Sequence, residues 1–145
     1  MDDAILLATD GSDAATKATE RAIDLANSLE ATLFVLTVLE SRTEYDNAIV
    51  DPEKAERHRR ERATEILEDV TVAADDAGIA VETAVRSGIP HEEIRRYAGE
   101  KGIDVIVIGA RGHSSFHGSL LGSTVDRLLR STSRSVLVVG GTEQP

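Results

Sequence analysis

Between Gly109 and Ser123 the chain reads Gly-Ala-Arg-Gly-His-Ser-Ser-Phe-His-Gly-Ser-Leu-Leu-Gly-Ser. This run follows the apolar stretch Val105-Ile-Val-Ile108 and precedes a short helical pattern from Thr124 to Arg130. A buried strand, a loop of small residues and a helix N-terminus together make a seat for phosphate. Glycines let the backbone come close to an anion, and the first N–H groups of a helix point outward unpaired. The spacing is Gly-x2-Gly-x9-Gly-Ser, filled by Gly109, Gly112, Gly122 and Ser123. Tight turns also use glycine, but turns alone do not call for three glycines and a serine at this spacing.

A second constellation, Ala8-Thr9-Asp10-Gly11-Ser12, closes the first apolar run. If Gly109–Ser123 holds phosphates, Asp10 falls where a ribose hydroxyl or a phosphate-bound Mg²⁺ would lie. A purely local role, with Asp10 or Ser12 capping the next helix, is compatible with this one. Arg111 stands inside the glycine loop, as a cation for phosphate charge or as a solvated loop residue. His113 and His117 lack the carboxylate partners and spacing of a metal site. His58 and His91 read as exposed helix residues.

Other nucleotide and catalytic motifs fail. No lysine follows a glycine, so there is no P-loop, and no strand is followed by Gly-x-Gly-x-x-Gly. Gly118-Ser-Leu-Leu-Gly122 is not a nucleophile elbow. Nothing reads as a strong general base beside a terminal phosphate, and fast hydrolysis needs a placed water and charge neutralisation beyond one arginine.

With Asp10, the glycine loop and the closing Val136-Leu-Val-Val139, essentially the whole chain resembles the universal stress protein family, in its ATP-binding branch. The resemblance implies that Gly109 and Gly112 approach the phosphates while Gly122 and Ser123 hold them at a helix N-terminus. It puts Ala8, Thr9 and Val38 around adenine and ribose, and lets Thr124 add a hydroxyl. ATP, ADP or AMP is the implied ligand, with Mg²⁺ reaching Asp10 through the nucleotide. The implied function is a nucleotide-dependent switch in a stress response, acting on a protein partner that the sequence does not name. A slow ATP hydrolase or adenylate-transferring enzyme is the runner-up, and an interaction module without nucleotide is third. Adenylate-transferring relatives of this architecture carry a Ser-Gly-Gly-rich first loop or His-Ile-Gly-His, and this chain has neither.

The elements that must position these residues are legible as alternating patterns. Ala4–Thr9, Leu33–Leu39, Val105–Gly109 and Val136–Val139 are near-continuous apolar runs, as strands covered on both faces require. Ala80–Arg86 alternates instead, which suits a sheet edge. Between them lie helical stripes: Ala15, Ala18, Ala22, Leu25, Ala26 and Leu29, then Ala63, Ile66, Leu67, Val70, Ala73, Ala74 and Ala77. Asp51-Pro52 opens the second helix and Gly78 stops it. Pro90 starts a third helix with Ile94, Tyr97 and Ala98 inward, which Gly102 ends. A fourth runs from Ser123 to about Ser131, with Val125, Leu128 and Leu129 inward. Glu40–Val50 reads as a polar loop.

Strands alternating with helices predict a single α/β domain with a five-stranded parallel sheet and helices on both faces. The resemblance implies the strand order 3-2-1-4-5 of the adenine nucleotide alpha hydrolase-like, Rossmann-like architecture. In that order Val136–Val139 is an edge strand without the lysine or proline that protects such edges. It predicts a homodimer paired through strand 136–139 that buries both valine rows.

The 145 residues carry a formal net charge of −10, a surface that repels nucleic acid and anionic membranes. With no cysteine there is no disulfide framework and no thiolate chemistry. Asp2 and Asp3 precede the first apolar run, the reverse of a signal peptide's charge order, and no stretch approaches the roughly 18 apolar residues of a span. A cytoplasmic location is expected. Of 16 cationic residues only Lys17, Lys54 and Lys101 are lysines. This acid-rich, lysine-poor composition resembles halophilic cytoplasmic proteins, the alternative being an ordinary acidic soluble protein. If the charge reflects salt adaptation, the melting temperature should climb steeply with KCl toward molar concentrations. A melting temperature flat from low salt upward removes that reading.

Overall fold

The computed structural model describes residues 3–40, 51–111 and 122–140. In chain order the elements are β1 (Ala4–Ala8), α1 (Asp13–Leu29), β2 (Thr32–Glu40), α2 (Pro52–Asp76), β3 (Val81–Gly88), α3 (Pro90–Lys101), β4 (Val105–Gly109), α4 (Ser123–Ser131) and β5 (Ser135–Val139). All neighbouring strands pair in parallel, in the order β3-β2-β1-β4-β5. The expected α/β architecture and strand order are both present. The expected loop at 41–50 lies outside the described residues; Glu40 itself ends β2.

Two-sided burial follows from the apolar runs. Ile5, Leu7, Leu33 and Val35 meet Ala18, Ala22 and Ala26 of α1 and Leu67, Val70 and Ala74 of α2 on one face. Leu6, Leu36 and Ile106 meet Ile94 and Tyr97 of α3 and Val125 and Leu128 of α4 on the other. Alternation along each strand sends successive side chains to opposite layers. The alanine stripe on α1 keeps that helix close to the sheet. β3 lies at the edge, where its alternation placed it, with Glu82 and Thr83 exposed.

Several expected core positions are not buried. Leu29, in the last turn of α1, is 45% exposed, and Leu129 of α4 is 43% exposed. The nine-residue α4 covers only one side of the sheet, so Val125 and Leu128 occupy its inward line and Leu129 turns away. Ala73 sits at the margin of the α2 stripe, and Ala77 lies beyond the last helical residue; both are exposed.

Among the described residues Tyr97 is the largest fully buried side chain, 1% exposed. Its ring meets Phe34 edge-on at 6.4 Å, while Arg86 and Lys101 lie 5.2 and 5.8 Å from its centroid. The hydroxyl finds no hydrogen-bond partner among the described residues. Tyr97→Phe keeps the ring and its cation contacts and removes an unpaired buried hydroxyl, so stability should hold or rise by up to about 1 kcal/mol. Tyr97→Ala should cost about 3–5 kcal/mol by urea denaturation. A loss above about 1 kcal/mol in Tyr97→Phe would mean that the hydroxyl has a partner.

Candidate functional site

Parallel strands deliver their carboxyl ends to one side, and the order reverses between β1 and β4. A cavity of about 540 Å³ opens there, a size suited to a small ligand. Ala8, Thr9 and Asp10 enter it from the end of β1, and Val38 from β2. Gly109 and Arg111 come from the end of β4, and Gly122, Ser123 and Thr124 from the start of α4. Gly112, His113 and His117 lie outside the described residues. Residues separated by about a hundred positions thus converge on one space.

The β1 turn is fixed by its own short polar side chains. The Thr9 hydroxyl accepts the Gly11 N–H at 3.2 Å, and the Asp10 carboxylate accepts the Ser12 N–H at 2.9 Å. The Ser12 hydroxyl accepts the Ala15 N–H at 3.3 Å, so Ser12 is the cap of α1. Capping therefore falls to Ser12, and Asp10 shapes the turn. Gly11 has φ +77°, and a Cβ on it would lie 2.8 Å from Ile66 Cδ1 of α2. The turn is packed as well as hydrogen-bonded.

Across the cavity, the Gly122 N–H donates to the Ala110 carbonyl at 2.8 Å, and the Ala110 N–H to the Val139 carbonyl at 2.7 Å. These bonds bring the end of β4 against the start of α4. Gly122 is the N-cap of α4 and offers no side-chain oxygen, in contrast to Ser12 at α1. The first hydrogen bond closing α4 runs from the Asp126 N–H to the Gly122 carbonyl, so the N–H groups of the preceding turn have no partner within the helix. The positive end of α4 faces the cavity.

Gly109 has a packing reason of its own. A Cβ there would lie 2.9 Å from the Ala14 carbonyl carbon and 3.0 Å from its oxygen. These are backbone atoms of α1, which cannot swing aside.

The cavity also has a wall that the sequence reading left out. His58, Arg59, Arg62 and Ile66 of α2 line it, as does Ile94 of α3. His58 is exposed, as expected, yet borders the cavity. The missed signal is helical spacing: Arg59 and Arg62 continue the Ala63, Ile66 and Val70 stripe toward the N-terminus of α2, past the end of the sheet. Among the described residues no group of three His, Cys, Asp or Glu is arranged to hold a metal ion.

A parallel sheet with helices on both faces and a cavity at the switch point places the chain in the doubly wound α/β class. Residues 1–140 match the model of the universal stress protein family, and the chain belongs to that family. Universal stress protein YxiE of Bacillus subtilis is 31% identical over 143 residues, spanning 93% of this chain and 97% of its own. The solved structure of MJ0577, a protein of Methanocaldococcus jannaschii, superimposes with a TM-score of 0.86 at 27% identity, covering 99% of each chain. A universal stress protein in complex with cAMP gives a TM-score of 0.75 at 25% identity over 97% of this chain and 98% of that one.

Gly109→Ala tests the packing account. Forcing α1 from β4 should cost about 1–3 kcal/mol of stability in chemical denaturation. A variant as stable as wild type would show that α1 can shift freely at Ala14.

Proposed function

We propose that the chain binds an adenine nucleotide, ATP or its ADP or AMP relatives, in the cavity at the strand ends. The observation that carries this reading is convergence: an N-terminus of α4 without a side-chain cap and the Asp10 turn face one cavity. The cAMP complex of a relative of the same fold supports it. Phosphates sit at the N–H groups of Ser123 and Thr124, with Gly122 allowing close approach and the Thr124 hydroxyl adding a donor. Gly109 and Arg111 complete the phosphate side. Val38 and the backbone of Ala8 and Thr9 border the base, with apolar Leu36 and Ile94 giving it a surface. Asp10 takes a ribose hydroxyl, or meets the Mg²⁺ that a triphosphate brings with it.

The protein so read is a cytoplasmic stress-response regulator whose nucleotide state is what a partner senses. It acts as a homodimer paired through β5. Val136 and Val138 pack into the α3/α4 layer and Val139 into the α1/α2 layer, so the valine rows expected at the interface are already used. Leu137, 40% exposed on the edge strand, is the side chain left for a partner.

Titration calorimetry with ATP tests the site. Asp10→Asn keeps an oxygen for the Ser12 N–H and removes the charge. It should lower ATP affinity at least tenfold, about 1.4 kcal/mol, while the thermal transition of the ligand-free protein moves little. Unchanged affinity would confine Asp10 to the turn. For the dimer, light scattering at tens of micromolar should give twice the chain mass, and Leu137→Glu should give a folded monomer. A monomeric wild type at that concentration ends the dimer reading.

A further inference from the structure

Cations are unevenly placed in this acidic chain. Five of the 16 lysines and arginines fall between Lys54 and Arg62, in the first turns of α2. Two of them, Arg59 and Arg62, line the cavity together with His58. Arg59 is held by Glu56, but the same carboxylate also takes Arg60, at 3.0 Å from its Nε. Among the described residues Glu56 is thus shared between two guanidiniums. The Nε of Arg59 is buried and has no hydrogen-bond partner among the described residues. A buried donor left in this way is costly, and a bound group is a ready explanation for it. Arg62 pairs loosely with Glu65 at 3.5 Å, both largely exposed, a contact of little strength. Its Nη2 lies 3.4 Å from the point where a side chain on Gly11 would begin, so the guanidinium rests over the Asp10–Ser12 turn.

We infer that Arg59 and Arg62 of α2 form a charge-reading wall of the nucleotide cavity, which makes it a site for nucleoside di- and triphosphates in preference to monophosphates and nucleosides. This rests on the nucleotide reading given above. An adenine ring and ribose need apolar surface and a few polar contacts, which the strands and α3 already supply. Arg59, Arg62 and Arg111 around one cavity are in excess of what a single phosphate at the start of α4 uses. Among the described residues, the carboxylates lining it are Asp10 and Glu40. Guanidinium forks bind phosphate oxygens with charge-assisted, paired hydrogen bonds, and each added phosphate gives them more to hold. The Nε–H of Arg59, unpaired among the described residues, is a donor such a chain would satisfy.

The test is calorimetric titration of ATP, ADP, AMP, cAMP and adenosine into wild type, Arg59→Gln, Arg62→Gln and the double variant at one ionic strength. Glutamine is a good helix former and keeps an amide donor, and circular dichroism checks the fold. Wild type should prefer ATP to AMP at least tenfold. The double variant should lose most of that preference, with ATP weakened at least tenfold and adenosine within twofold of wild type. Each single variant should lose part of it, which keeps the question answerable if the double variant does not fold. Equal wild-type affinity for ATP and AMP, or an ATP preference that survives the substitutions, overturns the role of α2 while the nucleotide site stands. A wild type that binds none of the five overturns both readings.

Discussion

A strand buried on both faces and paired on both sides has nowhere to put a polar group except its ends. β1 is in that position: Ile5, Leu6 and Leu7 are 0% exposed, with β2 on one side and β4 on the other. The rest of the structure depends on this constraint. The first polar residues after the strand, Thr9, Asp10 and Ser12, are forced to the carboxyl end. The Thr9 N–H makes the last bond to β2, at the Leu36 carbonyl, and beyond it the backbone must be satisfied by side chains. They do so locally, and the Thr9 carbonyl takes the Thr37 hydroxyl at 3.1 Å. The same burial that stabilises the sheet therefore concentrates fixed hydrogen-bonding groups beside the point where strand order reverses.

Net charge and local charge point in opposite directions here. A chain at −10 repels anions at long range, yet the walls of the cavity carry arginines from α2 and the helix terminus of α4. The Debye length is about 8 Å at physiological ionic strength. Distant carboxylates are therefore largely screened at the cavity, and the charges that count there are the near ones: Arg59, Arg62 and Arg111 with Asp10 and Glu40. An acidic chain can thus still gather five of its 16 cations between Lys54 and Arg62, two of them on the cavity wall.

Much of the fold was legible because two-sided burial writes continuous apolar runs, and helices between such runs leave few topologies. The strands read from Ala4, Leu33 and Val105 differ from those of the structure by a residue or so at their ends. What failed was the rim of the core. Leu29, Ala73 and Leu129 fit a helical stripe by period, but whether a stripe is covered depends on how far the sheet extends beneath it. At the site, Asp10, Gly109 and Ser123 stood out because they end or begin elements, where backbone groups come unpaired. Arg59 and Arg62 did not, because on sequence alone a charged helix face reads as solvated. Only the packing of α2 beside the end of β1 turns that face toward a cavity.

The cavity and the open edge of the sheet are closer in the hydrogen-bond network than their separation in the fold implies. Ala110 accepts the Gly122 N–H and donates to the Val139 carbonyl, so one residue ties the start of α4 to the last residue of the edge strand. α4 then runs directly into β5 through three residues, 132–134, where the Arg134 side chain bonds the Ile103 carbonyl at 2.9 Å. A ligand that draws Ser123 and Thr124 toward itself loads both routes, the bond through Ala110 and the helix itself. Packed elements of this kind shift together rather than deform, so a displacement of α4 would be passed to β5. The size of any such effect is bounded by how differently a ligand binds the two positions of α4. Arg59 and Arg62 of α2 line the same cavity from an element that is not joined to β5 in sequence, so the two walls are mechanically separate.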